Sequence, residues 1–203
     1  TREPIDAVRY VGNRSSGRMG LAIAEAARDR GASVTVIAAN VDLPRRSDIT
    51  YVDVHTAAEL LDATRAAFTQ TELLVMSAAV ADYRPEASHA GKIDKSAADR
   101  LSISLEPTVD ILTTLAGERD RQIVVGFAAE HGAAGLARAR EKRVRKQLDL
   151  IVHNDVAVDG IGFESSDNAI TIIGPGEAEE SVGRTSKRAC AERILDVIAP
   201  LFA

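Results

Sequence analysis

The feature that most constrains the fold is a regular alternation of two kinds of segment along the chain. Short runs rich in β-branched residues, such as Ser33–Ala38, alternate with alanine-rich segments whose apolar residues recur with the period of a helix, such as Gly17–Arg30. Buried parallel strands covered by helices have this pattern. The sequence therefore predicts an α/β protein with a doubly wound, mostly parallel sheet and helices on both faces.

The other elements follow from the same periodicities. Predicted strands lie at Thr50–Val54, Leu73–Ser77, Ser102–Leu105, Gln122–Phe127 and Asp149–His153, and predicted helices at Thr56–Phe68, Val109–Ala116, Ala133–Leu148 and Ser186–Ala199. A C-terminal hairpin of Ile170–Ile173 and Ser181–Thr185 is expected around Gly174-Pro175-Gly176, before the last helix. Because no repeat or low-complexity linker interrupts this order, we expect a single domain of residues 1–203.

The first residues do not match the start of such a fold. Phosphate-binding folds of this class place an apolar strand directly before their first glycine loop, whereas Thr1–Asp6 is polar and contains Pro4. We therefore expect the first strand to be absent and the chain to be a segment of a longer protein.

The composition excludes several classes of protein. The 203 residues include 25 Lys and Arg and 30 Asp and Glu, a net charge of −5, and 45% of them are hydrophobic, which is typical of a globular protein. The single cysteine, Cys190, rules out an internal disulfide, and we expect it to be a core thiol on the last helix. No apolar run is long enough for a membrane span, so a cytoplasmic protein that binds neither membranes nor nucleic acid is expected.

A glycine-containing loop, Gly12–Gly20, precedes the first helix. Glycines permit close backbone approach, and free N–H groups at a helix start attract phosphate oxygens, so this loop could cradle phosphates. Arg18 and Met19 stand where a Walker loop has Lys and Ser or Thr, and the spacing of dinucleotide-binding loops is absent. The glycine spacing alone is also compatible with a helix entry capped by a serine.

A second candidate segment, Ser77–Pro85, lies at the carboxyl end of a predicted parallel strand, where open sheets bind their ligands. The small residues Ala78 and Ala79 leave room for a flat base, and Asp82 could hold a metal–phosphate complex or a sugar hydroxyl. The alternative is a turn in which Asp82 is only a cap. Lys92 follows in a loop, where an isolated lysine is usually solvated.

The densest positive charge lies on the helix predicted at Ala133–Leu148. Its cationic and apolar residues form opposite stripes on a helical wheel, namely Arg138, Lys142, Arg145 and Lys146 against Leu136, Val144 and Leu148. The cationic stripe is either a solvated face or a phosphate clamp. Its position after the strand-end turn at Phe127 favours the clamp.

Several motifs, in this order, resemble those of the bacterial form of phosphopantothenoylcysteine synthetase. They are TREPIDAVRYVGNRSSGRMG, SAAVADYRP, GKIDK, VGFAAE, the Lys142 and Lys146 segment running into DLIVHNDV, and GFESSDN, and they extend from residue 1 to about 173. The resemblance implies a Rossmann-like fold, a homodimer, and a ligase that joins 4′-phosphopantothenate to L-cysteine with CTP as co-substrate and Mg²⁺, through an acyl-cytidylate. It also implies a linked flavin-dependent decarboxylase domain, with no flavin in this segment.

The resemblance assigns roles to individual residues. Arg9 and Asn13 would face the reacting carboxylate and, with Lys92, take part in catalysis, while Asp82 would meet the nucleotide and its metal ion. The remaining residues would contact the nucleotide together with Asp82 and Lys92: Gly12, Ser15, Ser16, Gly17, Ala78, Ala79, Val109, Asp110, Ile111, Leu112, Phe127, Lys142 and Lys146.

The chain departs from this family pattern in two places. Asp94 stands where the lysine loop is commonly more basic, and His153 stands where a small residue usually precedes the Asn-Asp pair. The first departure lowers the positive charge of the loop that contains Lys92.

Two other functions fit an α/β domain. A short-chain NAD(P)-dependent oxidoreductase needs Tyr-x-x-x-Lys, but the tyrosines at 10, 51 and 83 are followed four residues later by Arg14, His55 and Ala87. A non-enzymatic nucleic-acid-binding module could use the basic run at 138–146, but aromatic residues, which form 3% of the chain, do not interleave with it.

Overall fold

The computed structural model describes residues 1–95, 100–130, 134–155, 165–176 and 178–202. In chain order the strands are β1 (Arg2–Pro4), β2 (Tyr10–Gly12), β3 (Thr35–Ala39), β4 (Thr50–Val54), β5 (Leu73–Met76), β6 (Tyr83–Pro85), β7 (Leu105–Pro107), β8 (Ile123–Glu130), β9 (Leu150–Asp155), β10 (Asp167–Ile173) and β11 (Glu179–Ser186). The helices are α1 (Arg18–Asp29), α2 (Ala57–Phe68), α3 (Ile111–Glu118), α4 (Gly135–Arg145) and α5 (Lys187–Ile198). Every helix in the described ranges is too short or too polar to cross a lipid bilayer.

The central sheet has the strand order β11-β10-β9-β8-β5. Strands β5, β8 and β9 run parallel, with Met76 opposite Gly126 and Val125 opposite Leu150. Strands β10 and β11 form an antiparallel hairpin along one edge. The apolar runs of β8 and β9 are buried on both faces, which explains their continuous hydrophobicity. The predicted α/β sheet and its C-terminal hairpin are confirmed.

Helices cover both faces of this sheet. Helices α2, α3 and α4 enclose one core, which includes Leu115 and Ile151, and helices α1 and α5 enclose a second core, which includes Val152 and Ile194. Ile151 and Val152 are successive residues of β9 and point to opposite faces, so one strand supplies both cores. Cys190 is fully buried in the second core and burial raises the pKa of its thiol, which confirms the expected core cysteine.

Two small antiparallel hairpins, β1 with β2 and β6 with β7, are not predicted by the sequence. Each strand has three residues, and Pro4, Pro85 and Pro107 end three of them, so no alternating pattern marks these segments. The strand predicted at Ser102–Leu105 is wrong except for Leu105, with which β7 begins.

The apolar stripe predicted on α4 is partly wrong. Leu136 and Leu148 contact the first core, but Val144 is 68% exposed. The helix ends at Arg145 and Gln147 has a positive φ of 54°, so Leu148 reaches the core from the turn after the helix rather than from the helical stripe. The predicted start of the helix, Ala133, lies outside the described residues.

Strands β3 and β4 pair in parallel but form a separate sheet. Residues 34–37 of the β3 segment and residues 72–76 of the β5 segment both line a cavity of about 1060 Å³. In the described ranges β3 pairs only with β4, and β5 pairs only with β8. The cavity is therefore bounded by two strand edges that have no strand partner on that side.

Candidate active site

The glycine loop and the segment after β5 meet at the carboxyl edge of the sheet. Asn13 Nδ2 donates a 2.8 Å hydrogen bond to the Val80 carbonyl oxygen. A Cβ on Gly20 would lie 2.7 Å from Ser77 Oγ, so the absence of a side chain there permits the close approach of α1 to the end of β5. The fold thus brings together two segments that the sequence predicts separately as ligand-binding segments.

Helix α1 begins at the end of the glycine loop, and no side chain of the described residues caps it. Its N-cap residue, Gly17, has a φ of 77°, and a Cβ there would lie 2.7 Å from Val41 Cγ2. Ser16 Oγ is 3.5 Å from the Arg18 amide nitrogen, too long for a strong cap, so the alternative of a serine-capped entry is wrong. Since residues 18–21 include no acidic side chain, the positive end of the helix is not neutralised locally.

Two lysines approach this edge from the opposite face of the sheet. Lys146 Nζ donates a 2.8 Å bond to Asp110 Oδ1, and the same oxygen accepts the Thr113 N–H and caps α3. Burial raises the pKa of the Asp110 carboxyl, but the bonds from Lys146 and Thr113 outweigh it and hold the pKa below its usual value. The Lys146 side chain is 15% exposed, so this pair is largely shielded from solvent on the lysine side.

Lys142 is half-buried and donates a hydrogen bond to no carboxylate within the described part of the chain. Burial lowers the pKa of its ammonium group and the neighbouring Lys146 lowers it further, while the nearby carboxylates of Glu130, Asp82 and Asp110 act in the opposite direction. A cation that is half-buried beside a second cation is stabilised when an anion binds next to both. This arrangement indicates an anionic ligand.

The backbone of Asp82 is held by Thr108, a residue that the sequence analysis missed. The Thr108 N–H donates to the Asp82 carbonyl at 2.9 Å and its hydroxyl donates to the Ala81 carbonyl at 2.5 Å. The Asp82 side chain is exposed, and one carboxylate combined with phosphate oxygens is a common Mg²⁺ ligand set. Among the described residues no three His, Cys, Asp or Glu side chains cluster as a metal site, so a metal ion here would need the nucleotide's oxygens.

Several implied nucleotide contacts are constrained by their positions. Phe127 packs against the second core, on the face of α1, whereas the α4 lysines lie on the other face. The side chains of Ile111 and Leu112 belong to the first core, at 3% and 7% exposure, so only their backbone groups at the start of α3 can face a ligand. Val109 is 38% exposed and can contact a ligand through its side chain.

Arg9 and the loop that contains Lys92 are joined through Asp6, which the sequence analysis also missed. The fully buried Asp6 carboxylate accepts hydrogen bonds from the backbone of Val8, from the backbone and guanidinium of Arg9, and from the Ile93 N–H. Arg9 Nη2 also donates a 2.9 Å bond to the Ile93 carbonyl. Lys92 is exposed beside this contact. Aspartates often accept hydrogen bonds from backbone N–H groups two and three residues later in a local turn, so the aspartate shortly before Arg9 is a weak sequence signal for this role.

The unusual His153 belongs to β9, and its side chain lies close to Gly135 at the start of α4. Its Nε2 atom and the Oδ1 atom of Asn154 are buried without a hydrogen-bond partner among the residues described. A Cβ on Gly135 would lie 2.9 Å from His153 Nε2, so the absence of a side chain at Gly135 makes room for this histidine. The first part of the GFESSDN motif, residues 162–164, lies outside the described residues.

A family model for the DNA/pantothenate metabolism flavoprotein C-terminal domain matches residues 1–201. The chain belongs to this family. It is 40% identical over 204 residues to the coenzyme A biosynthesis bifunctional protein CoaBC of Vibrio vulnificus strain YJ016, covering 100% of this chain and 50% of that protein. It is 46% identical over 176 residues to the protein of the same name from Escherichia coli K12, covering 85% and 43%.

A solved structure shares the fold of this flavoprotein C-terminal domain. The C-terminal domain of a coenzyme A biosynthesis bifunctional protein CoaBC is 34% identical, with a TM-score of 0.83 over 100% of this chain and 92% of that one. The chain spans about half the length of the curated relatives it matches. These comparisons confirm the family indicated by the sequence motifs and its Rossmann-like fold.

Proposed function

We propose that the chain is a phosphopantothenate–cysteine ligase that uses CTP, in the coenzyme A biosynthesis for which its relatives are named. The observation that carries this proposal is Lys142, a half-buried cation without a bonded carboxylate in the described ranges, beside Lys146 and within the field of Asp82. The uncapped start of α1 lies at the same edge of the sheet. A nucleoside triphosphate bound there would satisfy both features.

The first half-reaction activates a carboxylate, which is a poor acylating agent at neutral pH. A carboxylate oxygen of 4′-phosphopantothenate attacks the α-phosphorus of CTP, the bond to pyrophosphate breaks, and an acyl-cytidylate forms. Negative charge accumulates on the departing pyrophosphate, where Lys92, Lys142, Lys146 and the N–H groups of α1 can stabilise it. Mg²⁺, when bound, would neutralise further phosphate charge, and Asp82 would hold it.

The second half-reaction forms the amide. The amine of L-cysteine attacks the acyl carbon, and collapse of the resulting tetrahedral oxyanion expels CMP while the amine loses its proton. Asn13 has two amide N–H donors, of which one binds the Val80 carbonyl, so the second can donate to the oxyanion. Arg9, whose side chain is 41% exposed, lies at the other end of the three-residue strand β2 and can also donate.

A quenched-flow experiment with 4′-phosphopantothenate, CTP, Mg²⁺ and cysteine tests these assignments. Lys92→Gln should slow pyrophosphate release itself by about 10²-fold, because activation fails. Asn13→Asp should give one turnover of pyrophosphate and an accumulated acyl-cytidylate, because the added carboxylate repels the oxyanion. Lys95→Gln, the same change in the same loop, should behave like the wild type.

The opposite pattern would reverse both roles. Accumulation of the acyl-cytidylate in the Lys92 variant and none in the Asn13 variant would show that Lys92 acts in amide formation. Absence of pyrophosphate release from the unmodified chain with all substrates present would refute the ligase function.

The nucleic-acid-binding alternative is weakened by the pairing of the basic run. Arg138 contacts Glu130 at 2.8 Å, and Arg140 donates a 2.6 Å bond to Glu179. These cations are already neutralised within the protein, unlike Lys142. Family membership and the missing Tyr-x-x-x-Lys pair also disfavour an NAD(P)-dependent oxidoreductase.

We also propose that residues 1–203 form one synthetase domain that acts as a cytoplasmic homodimer. Val8, Tyr10 and Tyr83 are 63%, 52% and 53% exposed on the two small hairpins, an apolar surface that supports self-association.

The cavity between β3 and β5 supports completion of the sheet by a further apolar strand, and the relatives' name "bifunctional" supports a linked decarboxylase domain. Sedimentation of the chain, alone and fused to an apolar strand, measures whether the chain is a dimer and whether the added strand changes its oligomeric state.

A further inference from the structure

Asp6 belongs to none of the roles assigned above, yet its buried carboxylate joins two segments of the site. Oδ1 accepts 2.8 Å hydrogen bonds from the backbone N–H groups of Val8 and Arg9. Oδ2 accepts from Arg9 Nε at 2.9 Å, from the Ile93 N–H at 3.0 Å and from Arg9 Nη2. An ionised carboxylate has about four acceptor positions, so these five N–H donors use its whole capacity.

The contacts form a closed arrangement. Arg9 Nη2 binds both Asp6 Oδ2 and the Ile93 carbonyl, while the Ile93 N–H returns to Asp6. The His89 N–H donates a 3.0 Å bond to the Ile5 carbonyl, so the segment before Lys92 runs along the same turn. Hydrogen bonds from Arg9 and Ile93 hold the pKa of Asp6 well below its usual range, and the carboxylate therefore remains an acceptor at neutral pH.

We propose that Asp6 is a positioning residue for both half-reactions: it orients Arg9 directly and places Lys92 through the backbone of Ile93. The roles of Arg9 and Lys92 rest on the proposed ligase function, whereas the anchoring contact does not. A side chain as long and exposed as that of Lys92 can act at a fixed point only if its backbone is held.

The test is Asp6→Asn, which keeps the shape but turns one acceptor atom into a donor that faces N–H groups. Amide hydrogen exchange at Ile93 should accelerate by about tenfold, because its acceptor is lost or weakened. The kcat for pyrophosphate release should fall by about 10²-fold, while KM for CTP changes much less, because Lys142 and the α1 terminus do not depend on this anchor.

Asp149→Asn is the matched control. Asp149 Oδ2 likewise accepts from an arginine and a backbone amide, Arg119 Nη1 and the Val124 N–H, both at 2.7 Å, but at the amino edge of the parallel strands. This variant should lower the melting temperature without a selective loss of kcat. A double variant, Asp6→Asn with Arg9→Gln, should lose less than the product of the single effects, because one residue acts through the other.

The outcomes separate the anchor from the ligase function. Unchanged exchange at Ile93 in the Asp6 variant would overturn the proposal, and so would a loss of kcat no larger than that of the Asp149 variant at the same loss of melting temperature. If the unmodified chain releases no pyrophosphate, the ligase function fails. The exchange measurement then still decides whether Asp6 holds the loop, and accelerated exchange would support the anchor alone.

Discussion

The two ends of helix α1 differ in whether the protein itself neutralises their charge. At its C-terminal end Arg30 contacts Glu192 at 2.6 Å and Asp196 at 2.8 Å, so the cation is neutralised by carboxylates of α5. At its N-terminal end Gly17 supplies no side-chain cap, and residues 18–21, all described, include no acidic side chain. Charge is thus satisfied within the protein where α1 meets α5, and it is left for a ligand where α1 meets the edge of the sheet.

The ion pairs around the C-terminal end extend across several elements. Arg188 contacts Asp29 at 2.9 Å and Glu192 at 2.6 Å, and Arg46 contacts Asp29 at 2.5 Å. Each pair is partly exposed and contributes little by itself, but together they fix α1 against α5. Lys142, at the carboxyl edge of the sheet, is half-buried and forms no ion pair with a carboxylate in the described ranges. The comparison therefore predicts that substitutions in one region change stability and substitutions in the other change ligand binding.

Within this comparison, the largest effect on nucleotide binding is expected from Lys142→Gln combined with Lys146→Gln. The double change should raise the KM for CTP at least about tenfold, since each charge-assisted contact to a partly buried phosphate contributes about 1.5 to 3 kcal/mol. Arg140→Gln, on the same helix but paired with Glu179, should leave this KM unchanged. An unchanged KM together with lost binding of single-stranded RNA would support the nucleic-acid-binding module instead.

Gly17→Ala should have the next largest effect. Both Gly17 and Gly31 have a positive φ, at 77° and 89°, but a Cβ would clash with Val41 only at Gly17 and would meet nothing at Gly31. Gly31→Ala should therefore cost only the backbone strain of about 1 to 2 kcal/mol, with nucleotide affinity retained. Gly17→Ala should lose stability and also weaken CTP binding by about tenfold, because the loop must shift. Denaturation and calorimetric titration of both variants check this; equal affinities would remove Gly17 from the phosphate site.

A smaller effect is expected from pH. Burial and then Lys146 lower the pKa of Lys142, so between that value and the ordinary lysine value the unfolded chain binds more protons than the folded chain. The stability of the ligand-free protein should therefore rise with pH in this window, while CTP affinity should fall as the ammonium loses its proton. In Lys142→Gln, measured from about pH 7 to about pH 10, the slope of CTP affinity should disappear. The slope of stability should only become smaller, because burial also lowers the pKa values of Lys187 and of the Thr1 ammonium group. A slope of CTP affinity that persists in the variant would assign it to another group.

The smallest effect is expected from Arg30→Gln. Loss of its contacts with Glu192 and Asp196 should lower the melting temperature by about 2 °C, because exposed ion pairs contribute little in a chain of this size. High salt should reduce the difference from the wild type, and the KM for CTP should not change. A changed KM would mean that the two ends of α1 are coupled.

The fold was largely predictable because its signal is periodic. Buried strands such as β8 are continuously apolar, and α1 and α5 have clear apolar stripes, so these elements are marked locally in the sequence. The sequence predicts Val144 in the core, but Val144 is exposed because it lies five residues after the buried Ala139, about 140° around α4 from the buried face. The short hairpins carry no periodic signal, because each strand has three residues and depends on pairing with a distant partner.

The candidate site was predictable only as separate motifs. The family can be identified from the residue types of three segments, the glycine loop, the Asp82 segment and the α4 lysines, because these motifs and their order can be read directly from the sequence. Their contacts are decided by the tertiary structure, because Asn13 and Val80 are 67 residues apart and Lys146 and Asp110 are 36 apart, and no local pattern records such distances. Asp6 shows the same division. The turn around Asp6 involves only neighbouring residues. The role of Asp6 as an anchor for Ile93 depends on the tertiary structure, because folding buries the carboxylate between two distant segments, and a buried carboxylate needs a hydrogen-bond donor at each acceptor position.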